Sequence, residues 1–367
     1  ADEAAGWSPT ARGADSPSAE QFASAGDVAT FGVVPPSSCP TVGTGADANA
    51  NDADGKIWTT CYVNGDRSDA SGPQDVLLGL NYDRSGAVEH IADKSALGAV
   101  YGIAYDEWNS VLFTSAFLKR HSELGPEGLD GLYWFSYPSE TVNSVSLDSL
   151  GGPSYGSIGA RDADTATFDS PSVDAAAFPL VAKTGIGDID VTPDGRTLLA
   201  VNLAAKAVVA YDVTNASGGA PSISYVGHYA ITDGDVACPN DSGSASASDW
   251  HPFAVAPVDA DRAYVGVSCT GQTSNDVDDL QAVVVELSLT PTGANDTAVP
   301  TAAAAVHRVD LDYVRGCPDN GNCAGPPDPS FLPWTDTYTW TFGSSTVAIH
   351  PQAVFSDINV EPDGALT

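Results

Sequence analysis

One phrase, present twice and far apart, limits the folds open to this chain. Asp188-Ile-Asp-Val-Thr-Pro-Asp-Gly-Arg-Thr-Leu recurs near the end as Asp357-Ile-Asn-Val-Glu-Pro-Asp-Gly-Ala-Leu-Thr. Each copy alternates apolar and polar residues, the periodicity of a strand, and then enters a Pro-Asp-Gly turn that sends the chain back on itself. Looser copies start at Gly102-Ile-Ala-Tyr-Asp and at Pro252-Phe-Ala-Val-Ala, again as strand, polar turn and apolar strand. A third strand, Ala207-Val-Val-Ala-Tyr-Asp-Val, follows the clearest copy.

Internal repetition of this kind fixes an architecture before any residue is given a role. Ile103, Ile189, Phe253 and Ile358 mark equivalent points, separated by 86, 64 and 105 residues. A four-stranded blade needs about 40–50 residues, so the spacings read as rough multiples of one blade. The expectation is an all-β protein, a β-propeller of seven blades with six or eight also open, and long disulfide-closed loops. Residues 1–28, rich in Ala, Ser, Gly and Asp without a period, read as a flexible leader. Residues 29–367 then form the propeller, and the last copy stops inside its own hairpin, as a truncated final blade would.

Charge narrows the functions. With 14 Lys and Arg against 48 Asp and Glu, the formal net charge is −34. Phosphate backbones and anionic membranes are repelled by such a surface, so nucleic acid is not an expected partner. No run reaches the roughly 18–20 apolar residues of a membrane span. The six cysteines, Cys39, Cys61, Cys238, Cys269, Cys317 and Cys323, include no CxxC pair, which speaks for disulfides and an extracellular setting. Fifteen pairings are possible. The simplest joins sequence neighbours: Cys39 with Cys61, Cys238 with Cys269, and Cys317 with Cys323.

Three groups of candidate site residues stand out. The first is Lys119-Arg120-His121, a cationic run in a chain with few bases, expected at the axial channel with Asp188 and Asp357 approaching from other blades. It could bind an anionic or carbonyl group or pair with structural carboxylates. The second is Asp47, Asn49, Asn51, Asp52 and Asp54, hard oxygen donors packed as in a calcium loop, although the turn glycine and closing glutamate of an EF-hand are missing. Asn275-Asp-Val-Asp-Asp279 is a lesser acidic cluster. The third is Trp334, Tyr338, Trp340 and Phe342, which share one face of an extended strand and could stack on sugar rings.

A family resemblance rests on Val100-Tyr-Gly-Ile-Ala-Tyr-Asp, Ala116-Phe-Leu-Lys-Arg-His, Gly125-Pro-Glu-Gly, Gly187-Asp-Ile-Asp-Val-Thr-Pro-Asp-Gly-Arg-Thr-Leu and His350-Pro-Gln-Ala-Val-Phe-Ser-Asp-Ile. These resemble the N-terminal propeller of large bacterial cell-surface proteins that continue into SdrD-type B repeats, which are prealbumin-like, and a wall anchor. Pro193-Asp-Gly-Arg-Thr-Leu-Leu-Ala-Val-Asn is also similar to YVTN-type propeller repeats. The resemblance implies display or attachment at the cell surface, with a protein or glycan as surface ligand, and brings no catalytic set. No GxSxG, HExxH, P-loop or dinucleotide fingerprint is present. An enzyme reading therefore rests on a propeller hydrolase or lyase with a calcium-supported axial site.

Overall fold

The computed structural model describes residues 56–81, 86–106, 109–136, 141–168, 173–214, 221–239, 248–292, 296–313, 330–337 and 351–360, plus a few isolated positions. Strands β1 (Ser8–Ala11) and β2 (Gly32–Val34) form an antiparallel pair. The rest is a series of antiparallel sheets in chain order. Blade 1 is β3 (Lys56–Thr60), β4 (Asp75–Asn81) and β5 (Glu89–Asp93). Blade 2 is β6 (Val100–Asp106), β7 (Val111–Ala116), β8 (Gly131–Ser136) and β9 (Asn143–Ser146). Blade 3 is β10 (Ile186–Val191), β11 (Thr197–Asn202), β12 (Ala207–Asp212) and β13 (Ser224–Ala230). Blade 4 is β14 (Trp250–Pro257), β15 (Arg262–Cys269), β16 (Gln281–Thr292) and β17 (Thr297–Asp310).

The middle strands explain why the sheets stack. In β11 (TLLAVN) every residue is buried, because successive side chains point to opposite faces and both faces are covered. Leu198 and Ala200 enter the core shared with blade 2, whereas Leu199 and Val201 enter the core shared with blade 4. Strand β8 divides in the same way: Leu132 and Trp134 face blade 3, and Tyr133 and Phe135 face blade 1. Blade 4 packs its other face, through Ala254, Ala256 and Val284, against Phe355, Ile358 and Val360. The final repeat copy thus takes the next place in the series, and Val360 forms an antiparallel bridge with Leu366. Face-to-face stacking of four-stranded sheets in chain order is a β-propeller.

Bulges recur at one place in the innermost strands: between Val100 and Ile103 in β6, Ile186 and Ile189 in β10, and Pro252 and Ala254 in β14. A bulge inserts an unpaired residue and re-aims its side chain. The inner strands approach closely at glycines. A Cβ on Gly187 would lie 2.8 Å from the Phe253 carbonyl oxygen, and one on Gly102 would lie 3.0 Å from the Ile189 nitrogen. Only glycine permits backbones this near.

The spacing argument for seven blades does not hold. The intervals of 86 and 64 residues each contain one blade rather than two, since Ile103, Ile189 and Phe253 lie on the inner strands of consecutive blades. The longer interval is filled by residues 147–185, an excursion of short 3-10 turns between β9 and β10. The described residues contain three four-stranded sheets and one three-stranded sheet.

Of the expected disulfides, Cys238–Cys269 is present, with Cα atoms 5.7 Å apart. Cys61 is half-buried. Its expected partner Cys39, and both Cys317 and Cys323, lie outside the described residues.

Candidate ligand-binding site

The cationic run sits where blade 2 meets the 147–185 excursion. After β7 the chain turns through Phe117–Leu124, and Leu118 anchors this turn in a small apolar core with Leu129 and Ala177. Ser122 donates its hydroxyl to the Val63 carbonyl at 2.6 Å, tying the turn to blade 1. His121 adopts φ 69°, a left-handed conformation that costs about 1–3 kcal/mol and is held by its surroundings. Its backbone N–H donates to Asp174 Oδ2 at 3.0 Å.

Asp174 is the centre of the arrangement. It is fully buried and paired with Arg161, itself 6% exposed. The Arg161 Nε donates to Asp174 Oδ1 at 3.3 Å, and Nη2 donates both to Asp174 Oδ2 and to the Lys119 carbonyl, the latter at 2.7 Å. The Arg120 Nη2 donates to the Val173 carbonyl at 2.8 Å, and its guanidinium lies 5.5 Å from the Phe178 ring centroid. Tyr62 donates its hydroxyl to the Arg120 carbonyl, while the Lys119 ammonium lies 5.6 Å from the Tyr62 ring centroid. Burial lowers the Lys119 ammonium to about 8, opposed by the nearby Cys61. Lys119, Arg120 and His121 are half-buried, whereas Tyr62 and Val173 are exposed at the rim.

Asp188 and Asp357 were expected beside the cationic run, but the charged neighbours of Asp188 are the acidic Asp190 and Asp357. Asp188 is buried, accepts the Val255 N–H at 3.2 Å, and is pushed well above the usual carboxylate range by burial and by Asp190 and Asp357. Burial also raises Asp190, to about 7. Burial thus favours the protonated form of Asp188 and Asp190 rather than an ion pair with the cationic run. The cationic run takes Asp174 instead, because the aperiodic excursion supplies a buried carboxylate beside it. Tyr101, Phe117 and Phe253 form an aromatic cluster, their ring centroids 5.3–5.5 Å apart.

Trp334 is not an exposed sugar platform. It is 4% exposed, stacks on His251 at 5.1 Å and 1°, and donates its Nε1–H to the Ala353 carbonyl at 3.0 Å. Burial and the neighbouring Lys206 and Lys183 lower His251 to about 3. Tyr338 and Trp340 lie outside the described residues, as do Asp47, Asn49, Asn51, Asp52 and Asp54, and nothing about the side chain of Phe342 is described. In the lesser acidic cluster, Asp276 caps its own turn by accepting the Asp278 N–H at 3.1 Å. Among the described residues no group of three or more His, Cys, Asp or Glu is placed to hold a metal ion. The two residues that sequence reasoning missed are Arg161 and Asp174, which lie in a stretch without repeat or motif.

No family model matches the chain. Three proteins of Dictyostelium discoideum are similar in sequence. Colossin-D is 26% identical over 42% of this chain and 17% of its own length, Colossin-C 24% over 58% and 20%, and Colossin-A 24% over 75% and 2%. The chain therefore spans at most a fifth of the length of these relatives. Among solved structures, a protein from Lactobacillus plantarum superposes with a TM-score of 0.32 and 10% identity over 71% of this chain and 69% of its own. Saccharomyces cerevisiae Sqt1 gives 0.29 and 8% over 59% and 38%. Superpositions this loose carry no argument about function.

Proposed function

We propose that the chain is an extracellular or cell-surface β-propeller that acts as a binding and display module, with its ligand face at Lys119–Arg120–His121. The observation that carries this reading is a half-open cationic turn, braced from beneath by a buried ion pair, on a protein of net charge −34. Such a spot singles out anionic groups from a surface that otherwise repels them. The Cys238–Cys269 bridge fits an oxidising compartment. Among the described residues no helix is long and apolar enough to cross a membrane. The resemblance to surface propellers and the similarity to short stretches of much longer proteins both suit a module carried within a larger chain.

The test is topological. The protein is expressed from its own gene with an epitope tag in the propeller, and intact cells are treated with protease. Loss of the tag while a cytoplasmic marker survives is the expected result. A tag that is cut only after the cells are lysed refutes the surface assignment.

A further inference from the structure

Blade 4 and the final repeat copy enclose a pocket of about 480 Å³, within the roughly 300–1,000 Å³ of small-molecule sites. Part of its wall is a small apolar core in which Leu311, Phe331 and Ala353 pack with Ala282 of β16. Another part is the strand through Phe355, which is fastened before any ligand arrives. The Phe355 N–H donates to the Ser268 hydroxyl of β15 at 3.0 Å, the Ser356 carbonyl accepts the Tyr101 hydroxyl at 3.3 Å, and the Ala353 carbonyl accepts the Trp334 Nε1–H. Tyr313, 50% exposed, and Val354, 37% exposed, stand at the rim.

The chemistry of this wall narrows what it can hold. Three aromatic side chains line it, and the rings of Tyr313 and Phe331 stand at 88° with centroids 5.9 Å apart, which gives aromatic walls in two directions. Among the described residues no charged side chain lines the pocket. Two of its polar side chains are already engaged, since Gln352 Oε1 accepts the Thr335 N–H at 2.6 Å and the Ser268 hydroxyl accepts from Phe355. A metal ion or a primary ammonium needs oxygen ligands in exchange for its water and finds few here. A neutral hydrocarbon would suit the walls but gains nothing from a protein of net charge −34. A quaternary ammonium meets both conditions: its surface is all C–H, with no donor to satisfy, and its charge is attracted to ring faces and to the field of the whole chain.

We propose that this pocket binds a quaternary ammonium group, held by Tyr313, Phe331 and Phe355. It shares no residue with the turn at Lys119, so either site can fail alone.

The experiment is calorimetric titration of the whole chain with choline chloride, with the neutral alcohol in which carbon replaces the choline nitrogen, and with ammonium chloride. Saturable choline binding is expected, with the alcohol roughly tenfold weaker for want of the charge and ammonium weaker still. Tyr313→Leu and Phe331→Leu keep apolar bulk but remove a ring, and each should weaken choline about three- to tenfold while leaving the alcohol unaltered. Tyr313 is half exposed, so its variant should melt with the wild type. Sedimentation with phosphatidylcholine vesicles assigns the source: binding that choline competes away identifies a lipid headgroup, and choline binding without vesicle binding identifies a free cation. An alcohol that binds as tightly as choline would show a plain apolar pocket and overturn the proposal. Ammonium equal to choline would overturn it by showing attraction to net charge alone. So would an absence of saturable choline binding, or choline affinity unaltered in both variants.

Discussion

Replacing Asp190 by asparagine removes a carboxyl that stands among other carboxyls on the inner strand of blade 3. Its titration is raised from 3.8 to about 7 by burial, opposed by the Val191 N–H it accepts and reinforced by Asp357. The folded value lies above the unfolded one. The stability tied to the bound proton is therefore complete below 3.8 and is lost as the pH rises through about 7. At about 1.4 kcal/mol per pH unit, the ionised group opposes folding by at most about 4 kcal/mol. Asp190 keeps part of its surface in water, and screening brings the figure to roughly 1–2 kcal/mol. Asparagine retains an oxygen to accept the Val191 N–H, which now spans 2.7 Å, so the change removes charge and little else. In urea titrations the variant should match the wild type near about pH 4, gain through the intervening range, and be more stable by roughly 1–2 kcal/mol near about pH 8. Parallel stability profiles, or a variant weaker than wild type near about pH 8, would refute the reasoning.

Asp174→Ala leaves the Arg161 guanidinium buried without its carboxylate and should cost about 3–5 kcal/mol, read as a lower urea midpoint; a loss below about 1 kcal/mol would mean that the pair is not desolvated. Cys238→Ser opens a bridge between residues 31 apart in sequence, for which chain entropy gives about 3–4 kcal/mol, seen as a lower melting temperature that reductant then leaves unaltered. Gly187→Val drives side-chain atoms against the Phe253 carbonyl, 2.8 Å from where a Cβ would sit, and should destabilise by about 1–3 kcal/mol or more. An unchanged melt would show that the inner strands of blades 3 and 4 are not in close contact.

The repeat was readable because a blade must begin with a strand of fixed period and end it in a turn of fixed chemistry. Residues 102–106, 188–191 and 253–257 all became inner strands. The number of blades was not readable, since spacing cannot tell two short blades from one blade with an excursion, and residues 147–185 have no period to betray them. Period-2 alternation cannot say which face of an extended segment meets water. In a propeller both faces are often covered, and Trp334 lies against His251. Asp188 and Asp357 hold the same position in their repeats, and Asp357 is one of the charges that raise Asp188. The raised titration of Asp188 follows from its depth of burial, which a sequence does not state. The pairing of Cys238 with Cys269 followed from proximity along the chain, Cys238 lying in the connection before β14 and Cys269 at the end of β15.

The excursion between β9 and β10 separates two burdens that a single chain usually mixes. Ring geometry is carried by bulges and glycines of the inner strands, whereas Arg161, Asp174 and Phe178 come from a segment that docks on the ring elsewhere, through Leu147 and Tyr155 in the core between blades 2 and 3. A substitution that alters what the turn at Lys119 recognises can therefore arise in residues 147–185 without disturbing the contact between one inner strand and the next. Descendants of such a chain can vary Arg161, Asp174 or Phe178 while keeping the inner strands, provided that Leu147 and Tyr155 hold their places in the core.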